Sequence, residues 1–450
     1  MRSAAVHFDG AGLTPSERMN RADTATLAAD IDEAFPHKIC VNLDRRPERW
    51  RRMKVRLAEQ GIRRVQRFSA LDGEGLRIPA HWHHTPGAYG CLRSHLRVVE
   101  EARAALMPSV LIFEDDAVFD PDMREKFAAY VKQLPHDWDM LYFGALHKEE
   151  LIAVSENVAK LTRSNSTYAF ALRDTIFDAF IELNAKAEDV LDNNSFVLQE
   201  RFNCYCFVPH LAWVETGYSD AQRRLERHWY LRESLVLFGS GVDRLLGETA
   251  VVFAHDARAR RSAENMLFLA DYYREFFSPH VEMVVVEQGA RPSLDRASLP
   301  AGCKHILLRD EGPFDRARCL AAGVEASSPE RSLFILSDDD IYMETLDIRA
   351  NLRMCERYDF ATGFDELIEL SEADSARLLV TKTTRGLDVT GYSRPAGEER
   401  PGFCRFATRA ALQSLCAGDY DSDERLLTAA RRGSLRVFRS PNHALRLRRG

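Results

Sequence analysis

Along this chain, short runs of uninterrupted apolar residues alternate with longer stretches whose apolar positions recur every three or four residues. The first kind reads as strands buried on both faces, the second as amphipathic helices. Lys38 to Leu43 is such a strand and stops at Asp44. Asp44 is expected to cap a helix that carries Pro47 in its first turn and ends at Gly61. A second strand runs from Arg64 to Phe68 and opens into Ser69-Ala70-Leu71-Asp72-Gly73. Strand, helix and strand at this spacing form a βαβ unit, which requires a parallel sheet. Ligands of such sheets bind at the carboxyl ends of the strands, where Asn42, Asp44 and Asp72 fall.

The pattern restarts in the second half. Thr249 to Ala254 reads as a strand, Ser262 to Phe277 as a helix and Val281 to Val286 as a second strand. A further helix opens in Gly312 to Arg318, and Leu333 to Leu336 is again a strand. Alternating β and α in two halves predicts an α/β protein of two tandem domains with mostly parallel sheets. The polar, weakly periodic start predicts a mobile leader over 1–36, with one short helix around Thr24 to Ala34. Phe238-Gly239-Ser240-Gly241-Val242-Asp243 marks a boundary, so the domains are expected over 37–235 and 245–450.

Two of the strands end alike. Ser109-Val110-Leu111-Ile112-Phe113 leads into Glu114-Asp115-Asp116, and Ser332-Leu333-Phe334-Ile335-Leu336-Ser337 into Asp338-Asp339-Asp340. Like charges packed at a strand end repel, so a cation belongs between them, and oxygen ligands suit Mg2+ or Mn2+. One such triplet alone would pass for a solvated loop; two with the same lead-in point to a metal-dependent enzyme that handles phosphates. Arg45, Arg46 and Arg49 stand beside the first cluster, either to neutralise a diphosphate or as a solvated first turn. Gly87 and Gly90 open a helix whose N-terminus favours an anion.

At 450 residues, two domains are the natural expectation. Hydrophobic and charged contents of 45% and 29% are those of a globular chain, and a formal charge of −7 argues against a nucleic-acid partner. Nine cysteines without a CxxC pair suggest neither a zinc site nor a disulfide framework and fit a reducing cytoplasm. His81-Trp82-His83-His84 invites a metal reading, but without a second ligand cluster it reads as surface. No apolar run approaches the ~20 residues of a membrane span. The basic run from Arg431 to Arg449 either holds the protein against an anionic membrane or glycolipid or is a plain solvated tail.

The motifs of the first half resemble glycosyltransferase family 25. Asn42-Leu43-Asp44-Arg45-Arg46-Pro47-Glu48-Arg49-Trp50, Phe68-Ser69-Ala70-Leu71-Asp72-Gly73, Gly87-x-x-Gly90-Cys91-x-x-Ser94-His95 and Phe113-Glu114-Asp115-Asp116 occur in that family's order. Trp138 to Gly144 resembles its next strand, and Gly217-Tyr218-Ser219-Asp220 its closing motif, with Ala221 where isoleucine is usual. That family includes bacterial lipooligosaccharide and collagen galactosyltransferases. The resemblance implies a GT-A fold that binds a UDP-sugar through Asn42, Asp44, Arg45, Arg46, Asp72, Ser94, His95 and Asp115. It implies a divalent ion, Mn2+ or Mg2+, held by Glu114, Asp116 and Asp220. Asp192 and Glu200 are candidate bases for the acceptor hydroxyl.

In the second half, Phe314-Asp315-Arg316-Ala317 followed by Gly323 resembles a segment of β1,4-galactosyltransferases, with Asp315 in place of asparagine. Glu287-Gln288-Gly289 is similar as well. Carried over, Glu287, Arg316 and Asp338 would contact the nucleotide sugar, and Asp340 and His443 the metal. The acceptor loop of that group is missing, and Asp423 and Glu424 stand nearest to it as candidate bases. The function implied is inverting transfer of galactose or a related hexose from a UDP-sugar to a glycan or glycolipid acceptor. Lipopolysaccharide, capsule or other surface-glycan assembly is the expected setting, in the cytoplasm or peripherally on the membrane's cytoplasmic face. The alternatives are one active domain with a degenerate carbohydrate-binding partner, or a metal-dependent phosphohydrolase. The latter would want its acidic motif at the first strand.

Overall fold

The structure is a computed structural model that describes residues 27–259, 262–277, 279–384, 387, 393–395, 404–415, 428, 432, 435–441 and 443–447. It divides into two compact units, Met1–Val236 and Leu237–Gly450.

In the first unit, an eight-stranded mixed sheet has the strand Lys38–Asn42 between Val65–Ser69 and Ser109–Glu114, all three parallel. Register sets Asn42 beside Ser69 and Val41 beside Glu114, so three carboxyl ends meet at one edge. The strand Ala169–Arg173 then runs antiparallel between Ser109–Glu114 and Met140–Tyr142, followed by Cys204–Phe207 and Val158–Lys160. Apolar runs suit this sheet because helices cover it. Leu92, Val98, Val99 and Ala102 of the helix Pro86–Ala104 join Ile176, Phe177 and Phe180 of Asp174–Ala185 in one core with the strand residues Ile39, Val110, Ile112 and Phe170.

The second unit has a seven-stranded sheet in the order Lys304–Leu308, Glu282–Gln288, Thr249–Asp256, Leu333–Asp338, Cys404–Thr408, Phe360–Ala361 and Val437–Phe438. Its first four strands are mutually parallel, and Cys404–Thr408 is antiparallel to Leu333–Asp338. Along Thr249–Asp256, Val251 and Phe253 enter one core cluster and Ala250, Val252 and Ala254 the other, which is why the run is apolar at every position. Both units therefore place the acidic strand between their first strand and an antiparallel one. This is an α/β protein with two mixed sheets, each parallel across its first strands, consistent with tandem GT-A-like domains.

Two expectations are corrected. Residues Ile31–Ala34 form a short helix capped by Asp30, and Phe35 is fully buried, so the leader's last part belongs to the core. The Phe35 ring meets Phe127, Trp138 and Phe143 at 6.1–6.3 Å, and buried Lys38 pairs with Asp32 at 2.9 Å. Asp44 does not cap the helix Pro47–Glu59, whose N-cap is Arg46. Instead its carboxylate accepts from Arg67 at 2.6 Å and Ser69 at 2.8 Å. Gly61 does end the helix, with a left-handed φ of 66°. The helix Ser240–Gly247, which overlaps the boundary expected at Phe238 to Asp243, buries Val242, Leu245 and Leu246 in the second unit. Both antiparallel neighbours of the acidic strands also escaped the sequence reading.

Candidate functional site

The edge where Asn42, Ser69 and Glu114 meet opens into a cleft of about 100 Å³. The loop Ala70 to Gly73, the start of the helix Pro86–Ala104 and Ser219 to Ala221 complete its walls. The close approach of helix and loop depends on Gly90: a Cβ there would lie 2.5 Å from the Leu71 carbonyl and 2.7 Å from the Gly73 nitrogen. Ser94 locks the same contact. Its hydroxyl accepts from Leu71 N–H at 2.8 Å and donates to the Gly90 carbonyl at 2.7 Å, so its one proton goes to the helix and its lone pair holds the loop.

The acidic turn is held from two sides. Asn42 donates to Asp115 at 2.6 Å, and Arg49 reaches Asp115 at 3.2 Å and Asp116 at 3.5 Å. Thr167 donates to Glu114 at 3.0 Å, while the preceding Ser166 N–H donates to Asp192 at 2.9 Å. Consecutive residues of one loop thus fasten Glu114 and Asp192. His95 is buried with Nε2 3.6 Å from Glu114, and Cys91, His95 and Glu114 bring one ligand atom each within 4.8 Å of one another. Arg45 pairs with Asp72 at 2.7 Å and Asp220 at 2.6 Å, and Arg46 forks onto Asp220 at 2.9 Å.

Electrostatics divide these acids in two. Burial and the charges of Asp116 and Asp192 push Glu114 well above the usual carboxylate range. Burial first, then the Asp115 charge, lifts Asp116 to about 6 against the pull of Arg49. Burial likewise raises Asp115 and Asp192 and lowers His95 to about 4. Asp220 behaves oppositely: burial pushes it up, but hydrogen bonds from Arg46 and Arg45 outweigh that and hold it low. Moreover, Asp116 Oδ1 is buried with no hydrogen-bond partner. An orphaned carboxylate oxygen beside a second strained carboxyl is a donor set that fits a hard divalent cation.

A pH test follows from Asp116. Its folded-state proton affinity exceeds the unfolded one, so the stability it contributes is present below its ordinary range and lost as pH rises through about 6. Asparagine does not titrate. In chelator, Asp116→Asn is therefore expected to gain melting temperature over wild type on going from about pH 4 to about pH 7. A gain that shrinks over that interval would contradict the assignment.

Of the other expected residues, Glu200 is exposed on the helix Leu191–Arg201, and neither it nor Asn42, Asp44, Arg46 or Asp192 lines the cleft itself. Of these, Asn42, Arg46 and Asp192 stand behind the lining, Asn42 and Arg46 bonded to the lining residues Asp115 and Asp220. Arg67 and Thr167 were missed, because each acts across strands far apart in sequence. In the second unit, Arg316 forks onto Asp338 at 2.6 and 2.9 Å, joining two expected ligand contacts to each other. Asp339 pairs with His255 at 2.6 Å and Asp340 with Arg446 at 3.0 Å. Glu287 is buried against Ser293 and His305. Burial lifts Asp338 to about 6, against Arg316. His443 lies in the strand His443–Arg446, its backbone beside Glu366. Asp423 and Glu424 lie outside the described residues.

Residues 35–185 match the family model described as Glycosyltransferase family 25 (LPS biosynthesis protein). Over 133 residues the chain is 33% identical to a "Glycosyltransferase 25 family member" of Drosophila pseudoobscura pseudoobscura, covering 25% of this chain and 21% of that protein. It is 29% identical over 168 residues to the mouse "Inactive glycosyltransferase 25 family member 3", covering 32% and 28%. The chain thus spans under a third of the length of these relatives. Among solved structures, Mycobacterium tuberculosis glucosyl-3-phosphoglycerate synthase with Mn2+, UDP and glucosyl-3-phosphoglycerate aligns at 13% identity and a TM-score of 0.30. That alignment covers 46% of this chain and 77% of that one.

Proposed function

We propose that the first unit is an inverting, metal-dependent glycosyltransferase that moves galactose or a related hexose from a UDP-sugar to a glycan or glycolipid acceptor. The observation that carries this reading is the orphaned Asp116 oxygen beside Glu114, set in a cleft with Arg45 and Arg49. Glu114 and Asp116 would hold Mn2+ or Mg2+, which when bound offsets negative charge on a departing diphosphate. Arg45, Arg46 and Arg49 can exchange their carboxylate partners for the diphosphate oxygens, a bidentate geometry suited to guanidinium. Asp192, whose proton affinity burial raises, is the group we assign to take the acceptor hydroxyl's proton. A single base without a nucleophile implies inversion at the sugar carbon.

The match to a family described by lipopolysaccharide biosynthesis supports a surface-glycan acceptor, and the expected place is the cytoplasm or the cytoplasmic face of a membrane. No helix among the described residues is long and apolar enough to cross one. For the second unit, Arg316 on Asp338 is the same kind of arginine–carboxylate pair, and by the same exchange it would serve a second nucleotide-sugar site; a carbohydrate-binding partner that no longer transfers sugar is the alternative. A panel of nucleotide sugars with Mn2+, read by UDP release, tests the proposal. UDP-galactose is expected to respond and excess chelator to silence it. Full turnover in chelator, or release only from a phosphatase substrate, would sink the reading.

A further inference from the structure

Away from the cleft, the first unit brings His147, Cys206 and His210 together, all buried, with their ligand atoms within 4.8 Å of one another. They come from three places: the short strand Leu146–His147, the strand Cys204–Phe207 and the loop ahead of Ala212–Val214. The two imidazoles face each other, Nε2 to Nε2, at 2.9 Å. Their outer nitrogens are both engaged, His210 Nδ1 with the Leu231 carbonyl at 2.7 Å and His147 Nδ1 with the Ser164 hydroxyl at 2.8 Å.

These contacts limit where the protons can sit. A carbonyl only accepts, so His210 Nδ1 carries the hydrogen and its Nε2 presents a lone pair to His147. The Ser164 hydroxyl either donates to His147 Nδ1, which leaves one proton on His147 Nε2 shared with His210, or accepts from it, which turns a second lone pair into the gap. Two lone pairs at this separation need something electrophilic between them, either one shared proton or a cation. Oxygen partners on the outer nitrogens are what orient imidazole ligands at metal sites. Cys206 adds a sulfur at the same point, and the donor set of two nitrogens and one sulfur suits Zn2+ rather than Mg2+ or Mn2+.

A second observation lies alongside. The Tyr168 hydroxyl is buried without a hydrogen-bond partner. The space a Gly144 Cβ would occupy is 2.7 Å from that oxygen and 3.1 Å from His210 Cβ, so the unsatisfied oxygen and the His210 side chain border the same space. Ser164 is itself braced, its N–H donating to Gln199 at 2.7 Å and its carbonyl accepting from the same side chain at 2.5 Å.

We propose that His147, Cys206 and His210 form a buried, structural site for one thiophilic divalent cation of the Zn2+ kind. On binding, the Cys206 thiol gives its proton to solvent and its sulfur bonds the ion, while the two imidazoles bind through Nε2. The site ties two strands to the loop that leads into Ala212–Val214. Being enclosed, it takes no part in substrate chemistry.

The test uses the full chain. Purified in the presence of Zn2+, the protein is expected to retain one equivalent through gel filtration in Mg2+ buffer, by elemental analysis. Replacement with Co2+ is expected to give the near-ultraviolet thiolate-to-cobalt band, which carboxylate sites do not produce. Cys206→Ala removes that band and Cys91→Ala keeps it. Folded wild type that retains no zinc and shows no band overturns the proposal in favour of a shared proton, even if Cys206→Ala fails to fold. A band lost with Cys91→Ala instead overturns the assignment to these residues.

Discussion

Asp116→Asn is expected to lower UDP-sugar turnover by on the order of a hundredfold or more, with the fold intact. The substitution keeps the size of the side chain and removes the charge of a carboxylate whose Oδ1 has no partner in the protein. Arg49, which contacts Asp116 at 3.5 Å, keeps its second carboxylate on Asp115, so the turn stays anchored. Adding Mn2+ in excess is expected to recover little of the lost rate, since one of its two strongest donors has become neutral. The measurement is steady-state UDP release for both proteins across Mn2+ concentrations. A variant within about threefold of wild type at saturating donor would remove Asp116 from the chemistry.

Phe35→Ala is expected to cost the first unit about 3–5 kcal/mol. The ring is fully buried between Phe127, Trp138 and Phe143, and removing it empties an aromatic pocket that rigid neighbours cannot refill. The five tryptophans of the chain, Trp50, Trp82, Trp138, Trp213 and Trp229, all lie before residue 237, so their fluorescence reports this unit alone. Urea unfolding followed by that signal should show the midpoint fall with the slope unchanged. A midpoint that barely moves would mean that 27–36 is a detachable tail. The same packing bears on truncation: a chain begun at residue 37 would lose this ring along with the Asp32 partner of Lys38.

The sequence showed the acidic strands because of a constraint on buried sheets. A strand covered on both faces has no apolar-to-polar alternation, so the first permitted charges appear where it leaves the core, as at Glu114 and Asp338. Helix limits set by the backbone were equally readable, as Gly61 shows. What could not be read was any contact closed over a long sequence separation. Asp44 looked like a helix cap, but Arg67 and Ser69 on the neighbouring strand took its oxygens. Thr167 has no motif, and it reaches Glu114 only because Ala169–Arg173 inserts antiparallel beside the acidic strand. Cys206 and His210 lie close in sequence, but His147 joins them from a distant strand that belongs to a different sheet, so the trio as a whole carries no ligand spacing.

The cleft's mouth has a consequence for the kinetics of encounter. Five carboxylates, Asp72, Glu114, Asp115, Asp116 and Asp220, line it, against the guanidiniums of Arg45 and Arg49 on its wall and Arg46 on Asp220. With Glu114 pushed well above the carboxylate range, the remaining acids roughly balance the three guanidiniums, so added salt should change the association of a free nucleoside diphosphate little. Arginines that the sequence offers as diphosphate partners are, in the fold, already paired with their own acids. Selection at this entrance is therefore made at short range, by exchange of partners, and not by attraction from a distance.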